Sequence, residues 1–302
     1  MERIVDITTD GAHLSVVRGF LKVSANGEEL GRVPLDDIAA LIIHAHGATF
    51  SANLADRLSQ RGALMVLCGP NHQPHAIMWP LQGHHAQGAR MRAQWAARKP
   101  LHKRLWQQIV QAKVRMQGAV LTAVGEDAAA FGLLARRVRS GDPDNVEAQA
   151  ARRYWPLLMG PGFRRDRNAG GANNLLNYGY TVLRSAVSRA IVAAGLHPTI
   201  GLHHHNQFNA FALADDLMEP FRPLVDMATR RLWRQNPVEE LEAERREMLV
   251  RVLAFDLKTR EGRSPLSVCI QRLAVSLAHS FEQHRPLLEF PALPTPLELK
   301  EL

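Results

Sequence analysis

The stretch of this chain best equipped for chemistry is a run of histidines followed closely by acidic side chains. His203, His204 and His205 come first, and Asp215, Asp216 and Glu219 follow. Residues 210–225 repeat apolar side chains at helical spacing, which predicts a helix that carries the acids. On such a helix Asp215 and Asp216 would share a face with Glu219. Because clustered carboxylates repel one another and a cation removes that cost, the pattern predicts a metal site.

The donor types narrow the choice of metal. Three consecutive histidines point in different directions, so one or two of them at most can serve one site. One imidazole with two or more carboxylates is a mixed nitrogen and oxygen set, which suits Mg²⁺ or Mn²⁺ better than zinc. The alternative is a surface histidine cluster that picks up divalent ions adventitiously.

A second candidate acid is Glu147, in the segment DNVEAQAARRYW. On a helix its face continues through Ala151 and Tyr154, and a carboxylate on such a semi-apolar face needs a partner. The alternative is an exposed glutamate that pairs with Arg152 or Arg153.

The chain is basic, with 37 Lys+Arg against 29 Asp+Glu, a net charge of +8 and a pI of about 10.1. Arginine forks match phosphate oxygens well, so the composition favours a polyanionic partner. The best candidates for phosphate contacts lie in the glycine-rich loop 160–171 and further along the chain: Arg164, Arg165, Arg167, Arg230 and Arg231. A merely solvated loop is the alternative for residues 160–171.

The sequence lacks the motifs and compositions that mark several classes of protein. The chain has no G-x-x-x-x-G-K-[ST] phosphate loop and no G-x-S-x-G nucleophile motif. Its two cysteines, Cys68 and Cys269, are too few for a zinc or disulfide framework and are expected as buried free thiols. No apolar run suits a signal peptide or a membrane span, which indicates a cytoplasmic protein that does not engage a membrane.

The elements that must position these residues fall into two parts. Residues 1–84 are rich in short β-branched runs, among them His13–Val23 and Glu29–Val33, with Asn26-Gly27 as a strong hairpin signal. Pro80–Gly88 has the composition of a linker. Residues 85–302 then show helical patterning, with Asp142-Pro143 expected to cap and begin the helix of Glu147. Pro286–Leu302 is expected to be a loosely held tail.

Two longer stretches carry a family resemblance. NVEAQAARRYW (145–155) and GANNLLNYGYTVLRSAVSRAIVAAGLHPTIGLHHHNQFNAFALADDLMEPFRPLVD (171–226) resemble the CRISPR-associated protein one family, the integrase of CRISPR adaptation. The wording LADDLMEPFRPLVD is similar to that of type II systems. The likeness covers nearly the whole chain and includes WQQIVQAKVRMQ (106–117).

The resemblance implies an α+β fold, with a small N-terminal β-sandwich-like domain (1–84) used for dimerisation and a larger all-α catalytic domain (85–302). It implies a homodimer, two of which flank a dimer of CRISPR-associated protein two, with the type II effector nuclease as a further partner.

The resemblance also implies a site and a reaction. Glu147, His204 and Glu219 match the family's metal ligands, and Asp216 matches an acid that assists them. A 3′-hydroxyl of captured double-stranded DNA would attack a phosphodiester of the CRISPR array with Mg²⁺ or Mn²⁺ as cofactor. Two alternatives remain at this point: a metal-dependent endonuclease that only hydrolyses DNA, and a non-catalytic DNA-binding scaffold.

Overall fold

A computed structural model describes residues 3–69, 74–81, 83–204, 209–238 and 241–302. Within them, strands fill the first part of the chain and helices most of the second, which confirms the predicted α+β class. The strands are β1 (Arg3–Ile7), β2 (His13–Val17), β3 (Phe20–Ala25), β4 (Glu28–Pro34), β5 (Ile38–Ile43), β6 (Thr49–Phe50), β7 (Leu64–Cys68), β8 (Pro74–Met78), β9 (Asp256–Thr259) and β10 (Gly262–Pro265). The helices are α1 (Ala52–Gln60), α2 (Gln87–Ala96), α3 (Lys99–Ala123), α4 (Ala129–Arg137), α5 (Val146–Met159), α6 (Ala172–Ala193), α7 (Ala212–Met218), α8 (Arg222–Gln235), α9 (Ala243–Arg251), α10 (Leu266–Glu282) and α11 (Pro296–Leu299).

One sheet has the strand order β4-β3-β2-β6 and is built on two hairpins. Asn26 and Gly27 both have positive φ, 52° and 84°, as the turn between β3 and β4 requires, and this predicted hairpin is confirmed. The prediction of one continuous strand over His13–Val23 is wrong. The segment turns back at Arg18 and Gly19, which also have positive φ, and pairs β2 with β3.

The other sheet has the order β1-β5-β7-β8, with the first three strands parallel. Strand β5 is buried on both faces, as its unbroken apolar sequence predicts. Leu41 and Ile43 face the core between the two sheets, while Ile42 joins Val66 of β7 on the side of the helices. This alternation places one sheet between two hydrophobic cores.

Helix α6 connects the strand-rich and helical parts. It is buried along almost its whole length and packs against β5, α8 and α10. At its junction with the sheet, the Tyr178 hydroxyl donates to Asp6 Oδ2 at 2.6 Å, and His44 Nδ1 lies 2.7 Å from Asp6 Oδ1. The predicted boundary at residue 84 falls between the end of β8 and the start of α2. It stays a prediction, because the two parts share this core.

Two features of the second part differ from expectation. The part predicted to be all-α contains the hairpin β9–β10. The tail Pro286–Leu302 is anchored rather than loosely held: Leu299 is fully buried, Ala292 N donates to Lys258 O at 2.8 Å, and Arg263 pairs with Glu298 at 2.7 Å. Its prolines limit regular secondary structure but leave its apolar side chains free to pack.

Cys68 and Cys269 are free thiols, as predicted, but only Cys269 is buried and Cys68 is half-buried. Burial raises the pKa of Cys68 to about 12 and that of Cys269 to about 11, so both stay protonated at neutral pH. Among the described residues, no helix combines the length and the apolar character needed to cross a membrane.

Candidate active site

Glu147 lies in the first turn of α5, and its position is set by two polar side chains just before the helix. Asn145 is the N-cap, with φ 51°, and its Oδ1 accepts from Ala148 N at 3.3 Å. Asp142 accepts from Val146 N at 2.9 Å and from Glu147 N at 3.0 Å. The predicted start at Asp142-Pro143 is therefore wrong by a few residues, although Asp142 does bind the free amides of the first turn.

Glu219 lies where α7 gives way to α8. The segment predicted as a single helix over 210–225 tightens into a 3₁₀ turn at Glu219–Phe221, with Pro220 and Pro223 on either side of the start of α8. Prolines lack the amide hydrogen that a continuous α-helix needs at these positions. Glu219 is 4% exposed, so its carboxylate must find its partners within the protein.

Two cations supply those partners. Lys113 Nζ, from α3, lies 2.5 Å from Glu219 Oε2 and 2.6 Å from Glu147 Oε1. Arg222 Nε lies 3.0 Å from Glu219 Oε1. The ammonium of Lys113 thus joins the two predicted acids. Over the described residues, Glu219 Oε2 and Arg222 Nε make no well-directed hydrogen bond, so these contacts are ion pairs.

Burial by itself would raise the pKa of Glu219, but the charges of Arg222 and Lys113 outweigh burial and the pKa is lowered. Burial alone would likewise lower the pKa of Lys113, whereas Glu219 and Glu147 hold it above its usual value. Glu219 and Lys113 are therefore both charged at neutral pH.

His204 is held by a carboxylate on α7. Its Nδ1 lies 2.6 Å from Oδ1 of Asp216, a residue with no exposed surface. Asp216 Oδ2 also accepts from Leu202 N at 2.6 Å and from His203 N at 3.0 Å. The hydrogen bond to Asp216 raises the pKa of His204 and, with Nδ1 as the donor, leaves Nε2 as the nitrogen available to a ligand.

The neighbouring histidine has a different role. The His203 ring stacks on Trp106 of α3, with centroids 4.3 Å apart and planes 1° from parallel. His204 meets the same indole edge-on, with centroids 5.9 Å apart. These contacts distinguish two of the three consecutive histidines: His203 anchors the loop, and His204 is oriented by Asp216. His205 lies outside the described residues.

The acidic face predicted on α7 is divided in the structure. Asp215 Oδ1 accepts from Arg184 Nε at 2.7 Å, and Asp215 Oδ2 accepts from Asn209 Nδ2 at 2.8 Å. It therefore points away from the Asp216–His204 pair, because adjacent helical residues diverge by about 100°. The prediction that Asp215 shares the site of Asp216 and Glu219 is wrong.

These side chains suit a divalent cation by donor type. Two carboxylates and one oriented imidazole form the expected mixed set, and the buried Glu219 Oε2 lacks a well-directed partner in the described part of the chain. The positions of these side chains, however, do not form a complete metal site. No three histidine, cysteine or acidic side chains among the described residues are close enough to hold an ion as they stand, since Lys113 lies between the two glutamates.

Sequence reasoning missed Lys113, Arg222 and Trp106. Lys113 carried a signal: it lies four residues after Ile109 and seven after Trp106, both buried, so it falls on the apolar stripe of α3. A lysine at such a position needs a buried acid.

Comparison with known proteins gives the family. The family described as CRISPR associated protein Cas1 matches residues 5–254. A CRISPR-associated endonuclease Cas1 of Neisseria meningitidis serogroup C (strain 8013) is 36% identical over 297 residues, covering 97% of this chain and 96% of that protein.

The chain belongs to the Cas1 family.

Solved structures agree with this fold. A casposase bound to integration product has a TM-score of 0.81 at 21% identity, over 95% of this chain and 93% of that one. A Cas6-RT-Cas1–Cas2 complex has a TM-score of 0.77 at 17% identity, over 97% of this chain and 36% of that one. The Cas1 fold therefore accounts for the whole architecture, including the strand-rich part.

The arginines proposed to grip DNA are not equivalent in this member of the Cas1 family. Arg164 and Arg167 are exposed on the loop 160–171. Arg165 turns inward: it donates to Asn173 Oδ1 at 3.0 Å and Asn177 Oδ1 at 2.7 Å, and its guanidinium lies 5.3 Å from the centroid of the Tyr180 ring. These internal contacts make Arg165 less available to a phosphate than its exposed neighbours, and its predicted contact with DNA stays a prediction.

The second pair of arginines lies on α8. Arg230 is partly buried and donates to Leu158 O at 2.8 Å, whereas Arg231 is exposed. With Arg234 and Lys300 they line a basic hollow of about 340 Å³. Arg231 is the better placed of the pair for an external phosphate.

Proposed function

We propose that this member of the Cas1 family is a metal-dependent DNA integrase that inserts captured DNA fragments into a CRISPR array. The observation that carries the proposal is the convergence of Glu147, Glu219 and Lys113, from three remote segments, beside an imidazole that Asp216 orients. The casposase bound to integration product and the Cas1 endonuclease of Neisseria meningitidis support the reaction class.

The reaction is a transesterification at phosphorus. A new P–O bond forms to the 3′-oxygen of the captured fragment, and the P–O bond to the 3′-oxygen of the target strand breaks. The attacking hydroxyl loses a proton and the departing oxygen gains one, so the number of phosphodiester bonds is unchanged. No nucleoside triphosphate is consumed, in keeping with the absence of a phosphate-binding loop from the sequence.

Glu147, Glu219 and Nε2 of His204 would hold Mg²⁺ or Mn²⁺. When bound, the ion would make the 3′-hydroxyl more acidic and offset charge on the phosphoryl oxygens. The remaining groups position the ligands. Asp216 fixes the tautomer and the orientation of the imidazole, and Arg222 holds the carboxylate of Glu219 in place.

Double-stranded DNA would bind through exposed arginines, chiefly Arg164, Arg167 and Arg231. We also propose a homodimer formed through the β4-β3-β2-β6 sheet, which exposes Phe20 and Leu30 with 39% and 53% of their surface. The Cas6-RT-Cas1–Cas2 complex supports a Cas2 dimer as a further partner. A cytoplasmic location and contact with the type II effector nuclease remain part of the proposal.

The proposal is tested by incubating a short fluorescent duplex and a supercoiled plasmid with the protein and Mn²⁺. We expect the label to join the plasmid with the wild-type protein, and His204→Ala and Glu147→Gln to lose most of the joining rate while they still fold and bind DNA. Equal joining by both variants, or joining in the presence of EDTA, would contradict the metal site.

The same assay decides between the proposal and its nearest rival. The Neisseria meningitidis relative is named an endonuclease, and in that activity water takes the place of the 3′-hydroxyl. Plasmid nicked without joined label would indicate that activity. DNA binding with neither product would indicate a scaffold.

A further inference from the structure

Lys113 is a cation between two acids that are proposed to bind another cation. Its side chain is 12% exposed, and its Nζ lies within 2.6 Å of oxygens of both Glu147 and Glu219. An ammonium at this position uses the oxygens that a divalent ion needs. The two cations therefore compete for the same carboxylates.

The charges around the glutamates are already balanced without a metal. Glu147 and Glu219 contribute two negative charges, and Lys113 and Arg222, both in contact with them, contribute two positive ones. Arg222 is further held over the Tyr180 ring, 4.8 Å from its centroid. A divalent ion entering this largely buried group of four side chains would add two positive charges to it, which is costly where water screens charge only weakly.

The negative charge of a phosphate group beside Lys113 would offset this added positive charge. A phosphodiester brought against the site carries one negative charge, and a captured end brought against a target strand adds more. Lys113 has three donors on a flexible stem, so it can turn from the glutamates to a phosphate oxygen. The carboxylates are then free for the metal, and the total charge returns towards balance.

We propose that Lys113 makes binding of the divalent ion depend on DNA, by occupying Glu147 and Glu219 until a phosphate takes its charge. The inference rests on the proposed function and adds a positioning residue to it. The consequence is a protein that holds its two acids together without metal and binds metal tightly only on its substrate. By linkage, the metal must strengthen DNA binding by the same factor.

The test measures Mn²⁺ affinity by titration calorimetry or by the EPR signal of free Mn²⁺, with and without a short duplex. For the wild-type protein we expect DNA to tighten Mn²⁺ binding about tenfold or more. Lys113→Met should bind Mn²⁺ about tenfold tighter than wild type without DNA, and most of the effect of DNA should be lost.

Two controls separate the role of Lys113 from general effects. Lys103→Met removes an exposed lysine from the same helix and should behave as wild type. Lys113→Arg keeps the charge and should keep weak Mn²⁺ binding in the absence of DNA. If Lys113→Met does not fold, Lys113→Gln takes its place with the same expected result, because it keeps a neutral donor for the carboxylates.

The outcomes are distinct. Unchanged or weaker Mn²⁺ binding by Lys113→Met without DNA overturns the inference and leaves the integrase proposal standing. Wild-type protein that binds no Mn²⁺ with or without DNA overturns the metal site itself, and with it the proposed function.

Discussion

At the scale of single residues, Asp216 does the most to shape the candidate site. Its buried carboxylate binds three backbone amides and the imidazole of His204 at once. The amides of Leu202, His203 and His204 fix the loop, and the contact with Nδ1 fixes the ring. Gly201 is required beside it, because a Cβ at residue 201 would lie 2.5 Å from His204 O.

Asp216→Asn tests this role. The amide can still accept a hydrogen bond but no longer carries the charge that orients the imidazole, so we expect a loss of about 10- to 100-fold in metal affinity or strand joining. Plasmid joining and Mn²⁺ titration would measure it. Asp215→Asn is the matched control: it breaks the buried pair with Arg184 and should lower stability more than it lowers the joining rate of the folded fraction. If Asp215→Asn lowered the joining rate more than Asp216→Asn did, Asp216 would not be the acid that orients His204.

Asp226 gives a prediction of pH dependence. Burial raises its pKa from the usual value near 3.8 to about 7, although the hydrogen bond that Tyr180 donates to it opposes the shift. The folded state then holds a proton that the unfolded state releases, so stability is greatest below pH 4 with respect to this group and falls as the pH rises towards 7. The full decline corresponds to about 4 kcal/mol.

Asp226→Asn should abolish that decline, because the amide does not titrate. We expect the free energy of unfolding of the variant, measured by urea denaturation, to increase relative to that of wild type as the pH rises from 4 to 8. A difference between the two proteins that stays constant with pH would show that Asp226 is charged throughout this range.

Sequence alone predicted which residue types make up the site, and missed how they pair. The spacing of Asp215, Asp216 and Glu219 suggested one acidic face. Two of their partners, Lys113 and Arg184, come from α3 and α6, and Arg184 lies 31 positions before Asp215 in the chain. Only the packing of helices decides which acid meets Lys113, Arg184 or His204.

At the scale of elements, the crossing of α6 and α8 sets the position of Glu219. Gly179 permits it: a Cβ there would lie 2.5 Å from Val225 Cγ1. The two helices thus approach more closely than any larger residue at position 179 would allow. The start of α8, with Arg222, follows from this contact.

Gly179→Ala should therefore destabilise the protein by about 1–3 kcal/mol through overpacking. Gly132→Ala is the matched control, also within a helix but exposed and with nothing within 4 Å of the added Cβ. It should stabilise by about 0.5–1 kcal/mol, since alanine favours the helix. Thermal unfolding would show both effects, and shifts of the same sign would contradict the close crossing.

Local signals explain which elements the sequence predicted well. The Asn26-Gly27 turn depends on a few neighbouring residues and is confirmed. The cap of α1 is equally local, since Ser51 Oγ accepts from Leu54 N at 3.2 Å. The start of α5 was misplaced because Asp142 and Asn145 are both good caps, and only the structure shows which one closes the first turn. The break at Glu219 was hidden by an apolar stripe that continues through it.

At the scale of the whole molecule, the net charge of +8 predicts DNA binding that weakens with salt. Neutralising Arg164 and Arg167 together, each to Gln, should flatten the slope of log affinity against log salt by about two, since each phosphate contact contributes about 0.9. Fluorescence anisotropy of a labelled duplex at several salt concentrations would measure it.

Arg165→Gln is the control for that experiment, because its guanidinium binds Asn173 and Asn177 within the protein. We expect a lower melting temperature and little change of slope. A slope that responds to Arg165 and ignores Arg164 and Arg167 would place the DNA elsewhere.

The order of strands and helices along the chain was predictable from composition. The contact between the strand-rich part and helix α6 was not. No residue near Asp6 in the sequence indicates that its carboxylate will accept a hydrogen bond from Tyr178. The tail was misjudged for a similar reason: prolines indicate irregular backbone, and the burial of Leu299 depends on α3, far away in sequence.

The joint between Asp6 and Tyr178 has a consequence for synthesis, because 172 positions separate the two residues. A ribosome adding about 5–20 residues per second needs about 10 to 35 s to cover that interval. In the later part of that interval, after Val66 has been made, the sheet face that carries Ile42 and Val66 still lacks the helix that packs on it. Yield in a cell should therefore depend on chaperones that shield this face until α6 has been made.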